Sequence, residues 1–305
     1  MIYKYLGIDD KTEKARISFL QNGLFRFTQP KELNDPKEAK PKFYINEYSP
    51  KDIILARYQL QHTNPMQANI GLSDEDLILN CLKPLLNRII DTSPNLVKRH
   101  GYNSIEEYDL AQLTKTYGAF EKKVNLEVGV FSLTTDNKNS VMWSSYCENY
   151  KGIVVGFSEE LIDLPQYISS EVFYDLEKIG LEVSLNYGQT RFNGKIIKEN
   201  DKTPIIISDE LIKSFLFHKE SQWDYEKEYR LISKLNSASK KADNIYLEKI
   251  PFTFIKEIFL GSKMEHEEKE QIISIINSNK ELNHIKISHQ TINELTGEIE
   301  FSDTF

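Results

Sequence analysis

The alternation of apolar and polar residues predicts short strands toward both ends of this chain and a helical stretch between them. Ile2 to Leu6 reads as a strand, and Lys11 to Gln21 as a helix stopped by Asn22-Gly23, because glycine accepts the left-handed turn that closes a helix. Leu24-Phe25-Arg26-Phe27 predicts a second strand. From about Ser49 to Lys123 the pattern turns helical. Leu77, Ile78, Cys81, Leu82, Leu85, Leu86, Ile89 and Ile90 recur as pairs every four residues, one apolar helix face, and Pro84 within it predicts a kink or a restart. A further helix is expected from Ser104, an N-cap with Glu107 three residues on, to about Phe120.

After Glu127 the strands return. Val128 to Thr134 and Gly152 to Phe157 are strand-like, the second apolar enough for burial on both faces, and a polar, aromatic connection from Asp136 to Lys151 joins them. Later strands are expected at Glu171–Tyr174, Tyr229–Ser233, Ile245–Ile250, Glu257–Leu260 and His284–Ser288, with helices at Ser208–Phe217 and Glu265–Ser278. Together these predict an α+β fold: a mixed or antiparallel central sheet in one domain of residues 1–305. A mostly helical insertion at about 49–123 follows the second strand.

Composition narrows the function classes. A net charge of −8 argues against broad nucleic-acid binding, which rests on neutralising phosphates with Lys and Arg. The two cysteines, Cys81 and Cys147, lie far apart in no metal-ligand spacing, as in a reduced cytoplasmic protein. The N-terminus has no signal-peptide apolar core and no run of about 18 apolar residues occurs, so a soluble cytoplasmic chain with no membrane partner is expected. The six histidines show no HExxH spacing, and neither a Gly-x-Ser-x-Gly elbow nor a Gly-rich phosphate loop is present. No metal is expected.

The stretch Lys219 to Ile232 carries the most chemistry. If the chain is extended from Tyr225, Glu226, Glu228, Arg230 and Ile232 share one face. Paired carboxylates repel unless a cation, a hydroxyl-bearing ligand or water compensates. Such a pair suits gripping sugar hydroxyls or moving a proton; a structural ion pair between Glu228 and Arg230 is the alternative. Asn34-Asp35-Pro36 reads either as a plain turn or as a loop whose Asn34 or Asp35 faces a pocket. Trp143 and Tyr146 either pack together or offer a stacking surface for adenine or nicotinamide, with Gly152 permitting close backbone approach.

Four blocks in order carry a resemblance: Tyr3-Lys4-Tyr5, Asn34-Asp35-Pro36 with Glu38, Met142-Trp143-Ser144-Ser145-Tyr146 running into Lys151-Gly152, and Trp223 with Glu226-Lys227-Glu228-Tyr229-Arg230. This set resembles the bacterial family known as domain of unknown function 2971, with Ile258-Phe259-Leu260-Gly261 similar to its closing strand. Lys37 stands where family members usually carry an aromatic residue, which counts against that loop as a stacking lid. The family label implies no chemistry.

Glu226-Lys227-Glu228 also resembles the Glu-x-Glu element of mono-ADP-ribosyltransferases, which cleave the nicotinamide–ribose bond of NAD. That resemblance implies NAD as cofactor, Glu228 as the group stabilising the oxocarbenium-like charge, and Glu226 as a general base on the acceptor. It implies Arg26 on the phosphates, with Lys4 an equal candidate, and Ser132 at the nicotinamide–ribose end. Tyr5, Asn34, Asp35, Trp143, Tyr146 and Arg230 complete the expected ligand-binding set, and a nucleotide or dinucleotide is the expected partner. A toxin, effector or phage-defence component is one setting for such an enzyme. Two other readings stand beside it. One is a non-catalytic ligand-sensing or interaction module that meets a protein partner through the helical insertion. The other is a metal-dependent nuclease in which Asp35, Asp224, Glu226 and Glu228 gather a divalent cation.

Overall fold

A computed structural model describes residues 1–8, 17–35, 37–46, isolated positions between 54 and 101, 105–175, 180–184, 189–193, 195–199, 203–235, 239–240 and 245–303. The expected helix carrying Leu77 to Ile90, the Ser104 cap and positions 11–16 of the first expected helix lie outside these residues. The strands run in chain order β1 (Ile2–Leu6), β2 (Leu24–Phe27), β3 (Lys42–Asn46), β4 (Val128–Thr134), β5 (Ile153–Phe157), β6 (Ile168–Glu171), β7 (Gly180–Ser184) and β8 (Gln189–Phe192). They continue with β9 (Lys195–Lys198), β10 (Glu228–Lys234), β11 (Ser239–Lys240), β12 (Tyr246–Lys249), β13 (Ile255–Leu260), β14 (Lys286–Ile292) and β15 (Ile299–Ser302). The α-helices named below are α1 (Phe19–Asn22), α2 (Ile105–Glu127), α3 (Ser140–Ser145), α4 (Asp209–Leu216) and α5 (His266–Ser278). The fold is α+β, and among the described residues no helix is long and apolar enough to cross a membrane.

Contacts divide the chain into two compact units. The first comprises Met1–Lys40, Val124–Glu177 and Ile212–Phe305. Its eight-stranded sheet has the order β15-β14-β13-β5-β1-β4-β10-β6; β13 and β14 run parallel, with α5 between them in the chain, and the other neighbours are antiparallel. Every residue of β5 is buried, as its unbroken apolar run predicts. On one face Phe131, Leu133, Val155, Phe157 and Leu231 form the main core with Phe25 and Phe27, which belong to a small β11-β12-β2 sheet. The Phe27 and Phe131 rings stack at 5.1 Å, and Phe25 meets Phe131 and Phe157 edge-on. The opposite face packs Tyr5, Val154 and Phe259 against Trp143 and Cys147. Gly23 closes α1 at φ 70, the stop the sequence predicts.

The second unit comprises Pro41–Lys123 and Lys178–Leu211. Its sheet has the order β3-β7-β8-β9, with β3 and β7 parallel, and Phe43 of β3 meets Tyr117 and Phe120 of α2 edge-on at 5.5 Å. None of these four strands is predicted by the pattern, because sequences such as Gln189-Thr190-Arg191-Phe192 and Lys195-Ile196-Ile197-Lys198 lack a sustained apolar alternation. Several boundaries also differ from expectation: α1 begins only at Phe19, α2 runs to Glu127 and not to about Phe120, and β13 starts at Ile255. β6 ends at Glu171 because Val172 and Phe173 leave the ladder to bond Glu228 and Phe217, and β14 runs to Ile292 because β15 pairs with its second half.

Three consecutive residues, Glu148, Asn149 and Tyr150, have positive φ and turn the chain tightly into β5. Gly152 follows with no room for a side chain: a Cβ there would meet the Leu6 carbonyl oxygen and lie 2.8 Å from the Cys147 Cα. The close approach expected at Gly152 is therefore that of β1, not of a ligand. Gly152→Ala is expected to lower stability by about 1–3 kcal/mol, the usual effect of overpacking against backbone. The urea midpoint reads this directly, and an unchanged midpoint would mean that β1 can move aside.

Candidate functional site

The pairing of β4 with β10 sets one face of the site. Glu228 lies opposite Thr134 and Arg230 opposite Ser132, so these four side chains share a face, while Phe131, Leu133 and Leu231 enter the core on the other. β1 pairs with β5 along its whole length but with β4 only at Tyr3–Thr134. The two strands part at one end, and a cavity of about 180 Å³ opens there. It is lined by Tyr3, Lys4 and Tyr5 of β1, Ser132 and Thr134 of β4, Asn34, Tyr146, Lys219, Glu226 and Glu228 among others.

Glu226 reaches this cavity by a different route from the one its spacing suggests. The chain is not extended from Tyr225: Ser221 to Glu226 form a 3-10 helix, Lys227 follows at φ 44, and β10 begins only at Glu228. The Lys227 amide donates to the Asp224 carbonyl at 3.1 Å, closing the last turn, so local hydrogen bonding overrides the strand-like alternation. The left-handed residue reverses the chain and brings Glu226 back beside Glu228. Asn139 fixes the arrangement from α3; its side-chain oxygen accepts from the Met142 amide and its Nδ2 donates to the Tyr225 carbonyl at 2.7 Å.

Beneath the cavity lies a buried network of three carboxylates and two cations. Arg230 is 0% exposed and forks onto Glu228, with Nε donating to Oε1 and Nη2 to Oε2, both at 2.7 Å. Its remaining donors reach the Leu216 carbonyl and Glu38 Oε1. Lys219 Nζ donates to Glu226 Oε2 at 2.6 Å and to Glu228 Oε2 at 3.2 Å, with the Trp223 ring 4.8 Å away. The Lys219 backbone is tied to Phe173 at 3.0 Å. Tyr146 donates its hydroxyl to Glu226 Oε1 and accepts from Asn34 Nδ2 at 2.6 Å, while the Glu228 amide donates to the Tyr174 hydroxyl.

Burial dominates the electrostatics of this network. It raises Glu228, against the pull of Lys219 and of a hydrogen bond from Ser132, and lowers Arg230 to about 9. It works to lower Lys219 too, but Glu228 and Glu226 outweigh it and the ammonium is held above its usual value. Burial and the Glu226 hydrogen bond together push the Tyr146 hydroxyl up. Lys4, half-buried at the cavity wall, is pulled down to about 8 by burial, opposed chiefly by the charge of Glu228. Its Nζ makes one hydrogen bond, to the Ser132 carbonyl at 2.7 Å, and lies over the Phe131 ring.

The structure thus brings together Lys4, Tyr5, Asn34, Ser132, Tyr146, Glu226 and Glu228 in the cavity wall, with Arg230 behind them. Arg26 is exposed on the small sheet and does not line the cavity. Trp143 does not line it either: it is fully buried, donates to the Asn137 carbonyl and packs on Tyr5 and Tyr150, which is the packing alternative, not the stacking surface. Asp35 is buried with Oδ1 accepting from the Lys37 amide, the local bond of a turn. Asp224 is exposed, and the oxygens of Glu226 and Glu228 are held by Lys219 and Arg230 where a divalent cation would compete for them. Among the described residues no group of three His, Cys, Asp or Glu side chains is placed to hold a metal ion.

Glu38 and Lys219 are the site residues that sequence reasoning passed over. Both sit inside or beside the blocks singled out, but a single Glu after a turn and a Lys before a Trp carry no spacing that announces burial.

Lys4 gives a test of the electrostatics. Its charged form is disfavoured in the folded protein, so the penalty is full below about pH 8 and fades as pH rises toward the ordinary value of 10.5. Lys4→Met is therefore expected to melt higher than the wild type at pH 7 and to lose that advantage as the pH approaches 10.5. A difference in Tm that does not change with pH would mean that Lys4 titrates normally.

Comparison with known proteins adds a partial family match without chemistry. No curated protein and no solved structure matches the chain significantly. Residues 142–231, which hold most of α3, β5, the 3-10 helix with Glu226, and Glu228 and Arg230 of β10, match the family described as Protein of unknown function (DUF2971).

Proposed function

We propose that the cavity receives the ribose of a nucleotide, NAD first among them, and that the chain breaks the bond at the anomeric carbon as mono-ADP-ribosyltransferases do. The observation that carries this reading is that Ser132, Glu226, Glu228 and Lys4 line one cavity although they come from three separated parts of the sequence. Its volume of about 180 Å³ lies below the roughly 300–1,000 Å³ of sites that enclose a whole drug-sized ligand. A ribose fits such a space, with the rest of the nucleotide outside it.

The chemistry follows from charge. Glu38, Glu226 and Glu228 against Lys219 and Arg230 leave the network one negative charge in excess. Fixed negative charge next to the anomeric carbon stabilises the positive oxocarbenium-like state as the bond breaks. Carboxylate oxygens of Glu226 and Glu228, with the Ser132 hydroxyl, accept and orient the ribose hydroxyls. Lys4 supplies N–H donors for a phosphate; Arg26 does not line the cavity, although its charge acts on Lys4. Glu226, within reach of Tyr146, is the base that takes the acceptor's proton.

A second reading is an interaction module that meets a protein partner through the helical insertion. It is favoured by one observation: both oxygens of Glu228 already have internal partners in Arg230 and Lys219. Nicotinamide release from NAD separates the two. Wild type is expected to release it, and Glu228→Gln to lose at least about 100-fold, the scale of a lost electrostatic contact in the transition state. Because Glu228→Gln also weakens the Arg230 pair, Ser132→Ala serves as the milder variant: it is expected to lose about tenfold while its Tm falls only by the loss of one hydrogen bond to Glu228. No release by wild type, and no NAD-induced change in Tm, would favour the interaction module.

A further inference from the structure

Lys219 stands among three carboxylates but bonds only two of them. Its Nζ is 2.6 Å from Glu226 Oε2, 3.2 Å from Glu228 Oε2 and 3.8 Å from Glu38 Oε2. That Glu38 oxygen is buried and has no hydrogen-bond partner. A buried carboxylate oxygen left unsatisfied is unfavourable, and this one is held in place because Arg230 grips the other oxygen of the same group. Lysine is a point charge on a flexible stem, so a shift of about 1 Å would bring the ammonium within hydrogen-bond range of Glu38.

We propose that Lys219 is a two-position cation: it rests on Glu226 while the cavity is empty and passes to Glu38 when a ligand engages Glu226. Glu38 is then a positioning residue. By taking the ammonium it releases Glu226 to accept a proton, which a carboxylate clamped at 2.6 Å by a lysine does poorly. The inference deepens the proposed function, since it gives Glu226 its freedom as a base, but the movement itself is testable without a substrate.

Trp223 reports the movement. The ammonium lies 4.8 Å from its ring, and the only other tryptophan in the sequence, Trp143, is fully buried against Tyr5 and Tyr150. Glu226→Gln removes the charge that holds Lys219 while keeping the side chain's shape. This variant is expected to change the tryptophan emission, and Trp223→Phe to abolish that change. In the Glu226→Gln/Glu38→Gln double variant only Glu228 remains to hold the ammonium, which keeps it near its resting place. Its emission is expected to return toward wild type, and its loss of Tm to exceed the sum of the two singles. Wild-type emission in Glu226→Gln, or additive losses, would overturn the proposal.

Should the double variant not fold, the Lys219 side-chain ammonium signal in 15N NMR of Glu226→Gln decides alone. A contact between the ammonium and the Glu38 γ-methylene protons is expected, and an ammonium that stays on Glu228 alone would overturn the proposal. If the emission and NMR results are as expected while NAD is not cleaved, the movable cation stands and the assigned reaction falls.

Discussion

A fully buried guanidinium dictates the local architecture of the first unit. Arg230 on β10 cannot be left without partners in a low-dielectric interior, and it draws Glu228, Glu38 and the Leu216 carbonyl around it. Removing one partner of such a pair typically costs about 3–5 kcal/mol, although an apolar replacement of the whole group need not destabilise at all. Three carboxylates beside two cations are therefore weakly explained by stability alone. The arrangement makes more sense as a means of holding negative charge in a chosen place, next to a cavity.

That cavity exists because the sheet is incomplete between β1 and β4. Full pairing would close the gap; instead the single Tyr3–Thr134 contact lets Lys4 and the hydroxyls of Ser132 and Thr134 face the opening. The loop of residues 30–35 and the 3-10 helix of Ser221–Glu226 wall it from the sides, and Tyr146 links them through Asn34 and Glu226. Trp143, Cys147 and Gly152 form the packing behind that wall. The matched family segment, 142–231, thus contains much of the packing and the Glu-x-Glu element, while Lys4, Asn34, Glu38 and Ser132 lie before it.

Much of the sheet was legible from the sequence because its central strands carry apolar runs: β5 is apolar throughout and β13 ends in Ile258-Phe259-Leu260. The strands β3, β7, β8 and β9 were not: β8 and β9 show no alternation that marks a face, and the Leu181-Glu182-Val183-Ser184 alternation of β7 is too short to stand out. The site was legible in part. Glu226, Glu228 and Arg230 were marked by their spacing, and they do converge, but through a 3-10 turn and a left-handed lysine that alternation cannot anticipate. Arg26 was marked by its order in a resemblance and Trp143 by its spacing to Tyr146, and neither says which side of a sheet or which depth of a core a side chain occupies. Lys219 and Glu38 become meaningful only once the chain is folded, since 181 positions separate them in sequence and 3.8 Å separate their charged atoms.

We propose, above all, that the cavity binds a ribose-bearing anion through Lys4 and the carboxylates of β10 and the preceding turn. Calorimetric titration of ADP-ribose into wild type and Lys4→Met at pH 7 tests it most directly. Saturable one-to-one binding is expected for wild type and about tenfold weaker binding for Lys4→Met, the loss of one charge-assisted contact to phosphate. Equal affinity in the two proteins, or no binding by either, would contradict it.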